Sequence, residues 1–567
     1  MVATTPPELP TARPRMTWDV WGDASDARRL PAVARFIAGR VLPGEPHPVP
    51  RVASPALTPS RLDETDLEAL REAAVTATDA ASRALHLGGK STPDLLARRS
   101  ELVQPAPDAI VLPASHAEVA AVLRICDARG IAVVPFGGGT SVVGGVEPQA
   151  GAHRAVVALD LVRTAGLLSF DETSLLATFG AGTTGPQAEE LLAAHGCTLG
   201  HFPQSFRYAS LGGFAATRSS GQASSGYGRF DELVHALRAA TPAGDLELGR
   251  APASAAGPDL RELLLGSEGA FGVITEVTLR VRRMPAATLY GAWRFRDFAD
   301  GAQALRALAQ RGIHPAVVRL SDRVETRINA ALGGHVSRLR GCLAVATFEG
   351  ATKREARAVR DATAAVFAQH HGRDRGPGPA RSWERGRFAA PALRDPLLDI
   401  GVLAETLETA TTWAGLTALK HAVTRALDES LSAEGTKPIV MCHISHIYPA
   451  GASLYFTVIA ALTAEPGPQW RRAKDAATRA IVAAGGTITH HHAVGRDHRP
   501  YLESEIGPLG VRVLEAVKAT LDPSGIMNPG ALLLAPPAAA RDISDVVPPP
   551  QDADVRDVSA GAAEGLS

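Results

Sequence analysis

The sequence predicts an α+β protein in which a large mixed segment is inserted into a strand–helix–strand framework. Three observations predict it. From about Asp108 short apolar runs alternate with an amphipathic helix. One of those runs ends in a triple-glycine loop with no helix behind it. Residues from Leu289 to about Thr489 then change character, to mixed strands and longer helices rich in arginine, before a final helix and a closing Asn528-Pro529-Gly530 turn.

Met1 to Arg15 is Pro/Thr-rich and lacks an apolar core, so it reads as a disordered terminus and not as a signal peptide. Residues 16–94 read as a helical, mixed region, with Asp63-Glu64-Thr65-Asp66 opening one helix. Ala109 to Leu112 is a strand. Ser115 caps a helix from His116 to Arg129, with Glu118 completing a capping box. Ile131 to Val134 is a buried strand leading into the glycines. Ala155 to Leu161, Leu175 to Phe179 and Val273 to Val281 are further strands, and Thr184 to His195 is a helix. The uncharged run Ile447 to Ala464 contains Pro449, Gly451 and Ser453, so it reads as a turn and one buried strand, not a membrane span. Leu509 to Leu521 is the last helix. From Pro536 onward Pro, Ala, Asp and Gly recur without period, which predicts a disordered tail.

Composition narrows the function. In 567 residues, 45% are hydrophobic and 21% charged, which supports a sizeable core and excludes global disorder. A net charge of −1 offers no basic excess for a nucleic-acid partner. Cys126, Cys197, Cys342 and Cys442 are scattered, as suits a reducing cytoplasm. The Ala/Arg/Gly-rich composition is bacterial in style.

The loop Pro135-Phe136-Gly137-Gly138-Gly139-Thr140-Ser141 is the strongest single motif. Glycines let successive N–H groups turn toward a ligand and form an anion-binding nest, the usual cradle for a diphosphate. It is neither the G-x-G-x-x-G fingerprint nor a P-loop, because no helix and no Gly-Lys-Ser/Thr follow. Taken alone it is also compatible with a plain tight turn.

The other chemistry-bearing residues are open to several readings. His490-His491-His492 would alternate faces on a strand, pairing His490 with His492. The triplet is a zinc site, a set of satisfied core or surface histidines, or an anion site with an acid–base role. The zinc reading lacks a nearby Cys or second His pair. Gly495-Arg496-Asp497-His498 adds cationic groups. Tyr455 reads equally as a core aromatic. Arg394 reads as an ordinary surface arginine. Arg319 follows an apolar run, so it is partly buried and needs an anionic partner.

Three further segments follow the glycine loop in order. They are Gly200-His201-Phe202-Pro203-Gln204-Ser205 with Ser210-Leu211-Gly212-Gly213-Phe214-Ala215-Ala216-Thr217-Arg218-Ser219, Ser267-Glu268-Gly269-Ala270-Phe271-Gly272-Val273-Ile274, and Asp522 to Gly530. Together these resemble the vanillyl-alcohol-oxidase-type flavoproteins. That resemblance implies a two-subdomain FAD-binding domain of the PCMH/VAO type carrying an inserted α+β substrate cap. It implies FAD held by Pro135 to Ser141, Pro203, Gln204, Ser205, Ser210, Gly212, Gly213, Thr217, Ser219, Glu268, Gly269, Val273 and Ile274, with His201 a conceivable covalent tether. The implied division is an FAD domain at 95–285, a cap at 286–500 and a return to the FAD domain at 501–535, with no resident metal.

The cap resembles the alkyldihydroxyacetonephosphate synthase family. The stretches that carry this are Met16 to Asp23, Val318-Arg319-Leu320-Ser321-Asp322, Leu393-Arg394-Asp395, Ala404 to Thr409, Tyr448 to Phe456 and Thr489 to Gly495. The family implies exchange of the acyl group of acyl-dihydroxyacetone phosphate for a long-chain alcohol through flavin N5, without net redox. Tyr455 matches a tyrosine that removes a C1 proton, and cationic surroundings would have to lower its pKa for that task. His490, His491 and His492 match histidines that orient and protonate groups. Arg394 matches an arginine serving the leaving carboxylate, and Arg319 one needed for flavin or site integrity. Members hold FAD non-covalently and are often dimeric and membrane-peripheral. Eukaryotic members carry Gly-His-Glu-Pro-Asp-Ser at 200–205, and a Cys-Ile pair at Ser453-Leu454. The chain ends without a peroxisomal tripeptide. The rival reading is an FAD-linked oxidase or dehydrogenase of a 2-hydroxy acid. A third is a flavin-binding protein without catalysis.

Overall fold

The computed structural model describes residues 14, 16–22, 31–41, 47–332 and 340–534, all within one compact unit. The expected disordered termini, 1–15 apart from Pro14 and 536–567, lie outside the described residues.

Helix His116–Arg129 shows how local chemistry frames the fold. Ser115 accepts a hydrogen bond from the Glu118 amide at 3.2 Å, and Gly130 ends the helix in the left-handed region at φ 62°. Only half of the expected capping box forms, because the Glu118 carboxylate turns to the Ala114 amide at 2.8 Å. The helix connects two parallel strands of a four-stranded sheet ordered Val75–Ala77, Ala109–Leu112, Ala155–Asp160, Ile131–Phe136. The two inner strands are buried along their whole length, as the unbroken apolar runs require. The outer strand Val75–Ala77 comes from the region expected to be mainly helical, and pairs antiparallel with Ala109–Leu112.

A second, antiparallel sheet runs Leu167–Asp171, Leu176–Gly180, Val273–Arg280, Val234–Thr241, Gly244–Leu248. The chain end returns to the first sheet: the Val133 amide donates to Ile526 and the Asn528 amide to Val133, each at 2.8 Å. The last helix is longer than expected, Leu502–Leu521, with a break at Gly507 (φ 74°) ahead of Pro508.

The inserted segment forms a seven-stranded antiparallel sheet. Its order is Arg373–Asp374, Ala287–Phe295, Cys342–Gly350, Val317–Ser321, Ile439–Ile444, Gly451–Ala461, Val402–Thr412. One face carries Leu320, Leu407 and Phe456. It packs on helices Phe298–Gln310, Lys353–Gln369, Leu416–Ser432 and Pro466–Ala483 through Leu305, Phe367, Leu419, Val423, Trp470 and Ile481. The uncharged run from Ile447 is, as expected, a turn at Tyr448 to Gly451 followed by one strand. Among the described residues, no helix is long and apolar enough to cross a membrane.

Candidate active site

The opposite face of the seven-stranded sheet carries the chemistry. Residues directly opposite in an antiparallel pair project to the same side. Ser321 pairs with His443, His443 with Tyr455, and Tyr455 with Glu408, so one row crosses four strands. Two residues along, Arg319 and Thr406 belong to the same face. His443 stacks on the Tyr455 ring at 4.9 Å with planes 24° apart. His491 lies against Tyr455 at 5.9 Å and 18°, and His492 meets it edge-on at 5.6 Å.

The histidine triplet is not a strand, as the sequence had suggested, but an irregular loop. Its shape is set by Glu408, a buried carboxylate that accepts from three successive amides: His490 at 2.6 Å, His491 at 3.0 Å and His492 at 2.8 Å. The Thr489 hydroxyl donates to it at 2.7 Å. Burial alone would raise the Glu408 pKa, but the surrounding histidines and amide donors hold it well below the usual carboxylate value. The expected alternation of faces therefore fails. His490 and His491 turn toward each other with their Nδ1 atoms 3.0 Å apart, and His490 Nε2 lies 2.7 Å from the Tyr448 hydroxyl.

The expectation that cationic surroundings would lower Tyr455 does not hold. Burial pushes its phenol above the ordinary value, against the weaker pulls of a Thr406 hydrogen bond and Arg394. Burial lowers His491 to about 3 and His492 to about 4, and holds His490 well below normal. The triplet is neutral near pH 7. Nor do Arg496 and His498 add free charge. Arg496 binds the Gly144 and Pro529 carbonyls, while His498 contacts the Ala493 carbonyl and is lowered by burial to about 4.

The cations that remain are arginines. Arg319 bonds Glu325 at 2.5 Å and His443 Nδ1 at 3.0 Å, which supplies the anionic partner its burial demands. Arg319 thus lies on the cap face of the site, between Glu325 and His443. Arg394 is buried, donates to the Lys90 carbonyl, and has Glu405 at 3.7 Å, a looser ion pair.

The glycine loop and the segments around Ser210 and Gly269 lie together. A Cβ on Gly138 would sit 2.1 Å from the Tyr208 carbonyl, one on Gly137 2.4 Å from Ser210 Oγ, and one on Gly269 2.8 Å from Pro135. The segments can approach this closely only because these residues are glycine. The residues present fit FAD: His201 Nδ1, Gln204 Oε1, Ser220 Oγ, Gln222 Oε1 and Asn528 Oδ1 are buried polar atoms on these same segments with no partner within the chain. Glu268 reaches across to the histidine loop. Its carboxylate accepts from the Val494 and Gly495 amides at 2.8–3.1 Å, so it ties the histidine loop to the cofactor segment. Burial raises it to about 7.

Sequence reasoning missed Glu408, His443, His446 and Tyr448. The signal was present in Cys442-His443-Ile444-Ser445-His446-Ile447-Tyr448, a polar-rich strand end whose strand pairs with the one that carries Tyr455. His446 also bears on the zinc question, since one ring nitrogen each from His446, His490 and His491 lies within 4.8 Å of the others. Here those rings are engaged with the Gly221 carbonyl, Tyr448 and each other.

Two family models match the chain: a FAD binding domain over residues 107–248 and the C-terminal domain of FAD linked oxidases over residues 284–532. A solved alkyldihydroxyacetonephosphate synthase matches with TM-score 0.77 at 27% identity, covering 91% of this chain and 98% of that one. p-Cresol methylhydroxylase matches in fold alone, with TM-score 0.63 at 15% identity over 83% of this chain and 96% of that one. The chain is thus an FAD-dependent enzyme with the PCMH/VAO fold. Alkyldihydroxyacetonephosphate synthases from Trypanosoma brucei brucei and Dictyostelium discoideum are each 32% identical, covering 81% and 80% of this chain and 78% of each relative. The chain belongs to the alkyldihydroxyacetonephosphate synthase family. A mitochondrial cytochrome-linked D-lactate dehydrogenase from Arabidopsis thaliana is 29% identical over 75% of this chain and 73% of its own.

Proposed function

We propose that the protein exchanges the acyl group of acyl-dihydroxyacetone phosphate for a long-chain alcohol, with no net redox change. The observation that carries this reading is the convergence of Tyr455, the histidine triplet and Arg394 on one site in a chain 32% identical to synthases. Bound FAD supplies an electrophilic ring on which the C1 fragment can be held between partners. The chain's own residues do the rest. Tyr455 holds its proton in the free site, so its hydroxyl donates first and acts as a base only once a neighbour has taken that proton. Neutral His491 and His492 are competent acceptors, with Glu408 at 3.6 and 3.9 Å to stabilise the imidazolium. Arg394, whose ion pair with Glu405 is loose, is the cation available to a departing carboxylate. Arg319, closed by Glu325, positions His443 and through it Tyr455.

In this reading residues 95–285 and 501–535 are the cofactor domain and 286–500 the substrate cap. The protein is a cytoplasmic homodimer that meets its lipid substrates at a membrane surface. The test is acceptor-free turnover: acyl-dihydroxyacetone phosphate plus fatty alcohol should yield ether lipid and free fatty acid. A second reading, dehydrogenation of a 2-hydroxy acid, is favoured by the D-lactate dehydrogenase relative and by neutral imidazoles able to take a hydroxyl proton. It requires an electron acceptor, and that requirement separates the two.

A further inference from the structure

We propose that Tyr448, His490 and His491 form a proton relay that joins the reaction centre to a solvent cavity lined in part by Tyr448. The relay rests on the acid–base role given above to the triplet.

The geometry is a continuous file of hydrogen bonds. Tyr448 is one of the residues lining a cavity of about 630 Å³, together with Thr411, Gly451, Thr487 and Glu505. Its hydroxyl lies 2.7 Å from His490 Nε2, and His490 Nδ1 lies 3.0 Å from His491 Nδ1. His491 in turn lies along the Tyr455 ring. Tyr448 is held firmly: its amide donates to the Gly451 carbonyl at 2.8 Å, its carbonyl accepts from Trp413 Nε1 at 3.0 Å, and Arg229 hydrogen-bonds its hydroxyl.

The bonding allows only two proton arrangements. A neutral imidazole has one N–H and one bare nitrogen. If Tyr448 donates to His490 Nε2, then His490 Nδ1 must carry the proton and donate to His491 Nδ1, leaving the His491 proton on Nε2. If the file is reversed, His491 donates from Nδ1 and its Nε2 is bare. The Arg229 donor suits both, since it needs only a lone pair on the Tyr448 oxygen. The two arrangements differ by one proton moved from end to end.

The transfer balances at every atom. A substrate proton bonds to bare His491 Nε2. The His491 Nδ1 proton passes to His490 Nδ1, and the His490 Nε2 proton to the Tyr448 oxygen. The proton originally on that oxygen leaves to water in the cavity. No group ends charged, and the reverse sequence returns a proton to the site. An exchange without net redox must return each proton that it removes, so the file resets within one turnover. Without it, a protonated His491 would stay paired with Glu408 at 3.6 Å in a buried site.

The experiment uses the FAD-loaded enzyme and Tyr448→Phe, which keeps the ring and removes the link. In wild type the turnover rate against the deuterium fraction of the solvent should bow, as several protons in flight require. In Tyr448→Phe the expected results are a kcat lower on the order of 100-fold at unchanged KM and FAD content, a straight isotope plot, and partial recovery with added imidazole. A variant within twofold of wild-type kcat, or a slow one insensitive to imidazole, overturns the relay. Should the variant not fold, a straight plot in wild type overturns it alone. If wild type fails the exchange but its flavin is reduced by a 2-hydroxy acid, the synthase reading fails. The same isotope plot on that half-reaction still decides the relay.

Discussion

Replacing Glu408 by glutamine should both destabilise the protein and disable the site. The side chain keeps its shape, so the effect isolates charge and acceptor capacity. In wild type four donors converge on two oxygens, and hydrogen bonds to a charged acceptor contribute roughly 1.5–3 kcal/mol each. Glutamine turns one oxygen into a donor. At least one amide, that of His490 if the amide group takes that side, then faces an N–H. Losing that bond costs roughly 1.5–3 kcal/mol, and weakening the other three to neutral bonds costs about 1 kcal/mol each. Relief from burying a charge returns several kcal/mol. The net loss is roughly 1–3 kcal/mol. The loop carries the triplet, and a displacement of about 1 Å costs on the order of 100-fold in rate. Denaturant unfolding followed by circular dichroism, with kcat/KM measured alongside, reads both effects. A variant within about 0.5 kcal/mol and threefold of wild type would mean that Glu408 does not shape the loop.

Tyr455→Phe should lower turnover at least about 100-fold while FAD stays bound, since the ring stacks are kept and only the hydroxyl is lost; retained activity would remove that hydroxyl from the chemistry. Acid should weaken the fold early. His446 and His491 are lowered from 6.5 to about 3 and His492 to about 4, so the unfolded chain binds protons that the folded one refuses. Their contribution is full above about pH 6.5 and is lost as pH falls toward 4, by up to about 4 kcal/mol per pH unit for three groups. Unfolding midpoints that stay level between pH 7 and 5 would contradict this. FAD should be extracted by acid precipitation, with no bond to the buried His201. Flavin remaining on the precipitated protein would show a covalent tether.

The parts of this structure legible in the sequence are those fixed by short-range chemistry. The helix His116–Arg129 follows from its serine cap and terminal glycine, and the glycine loop from residues that alone permit Gly138 to lie against Tyr208. The order of segments was enough to indicate the FAD-binding fold. The triplet's conformation was not legible, because the residue that shapes it, Glu408, lies 82 positions from His490 in the chain. Protonation states were equally hidden. A run of histidines and arginines reads as cationic, yet burial neutralises the imidazoles and Glu325 closes Arg319. Arg496 likewise reads as a substrate cation but is held by the Gly144 and Pro529 carbonyls.

The most direct test of the account is anaerobic mixing of the yellow protein with palmitoyl-dihydroxyacetone phosphate, then with hexadecanol, while the flavin spectrum is recorded and the lipid analysed. The account predicts loss of the oxidised flavin bands on the first addition, their return on the second, and an ether-linked product with no electron acceptor present. An unchanged spectrum and no ether lipid, with lasting bleaching by a 2-hydroxy acid instead, would contradict it.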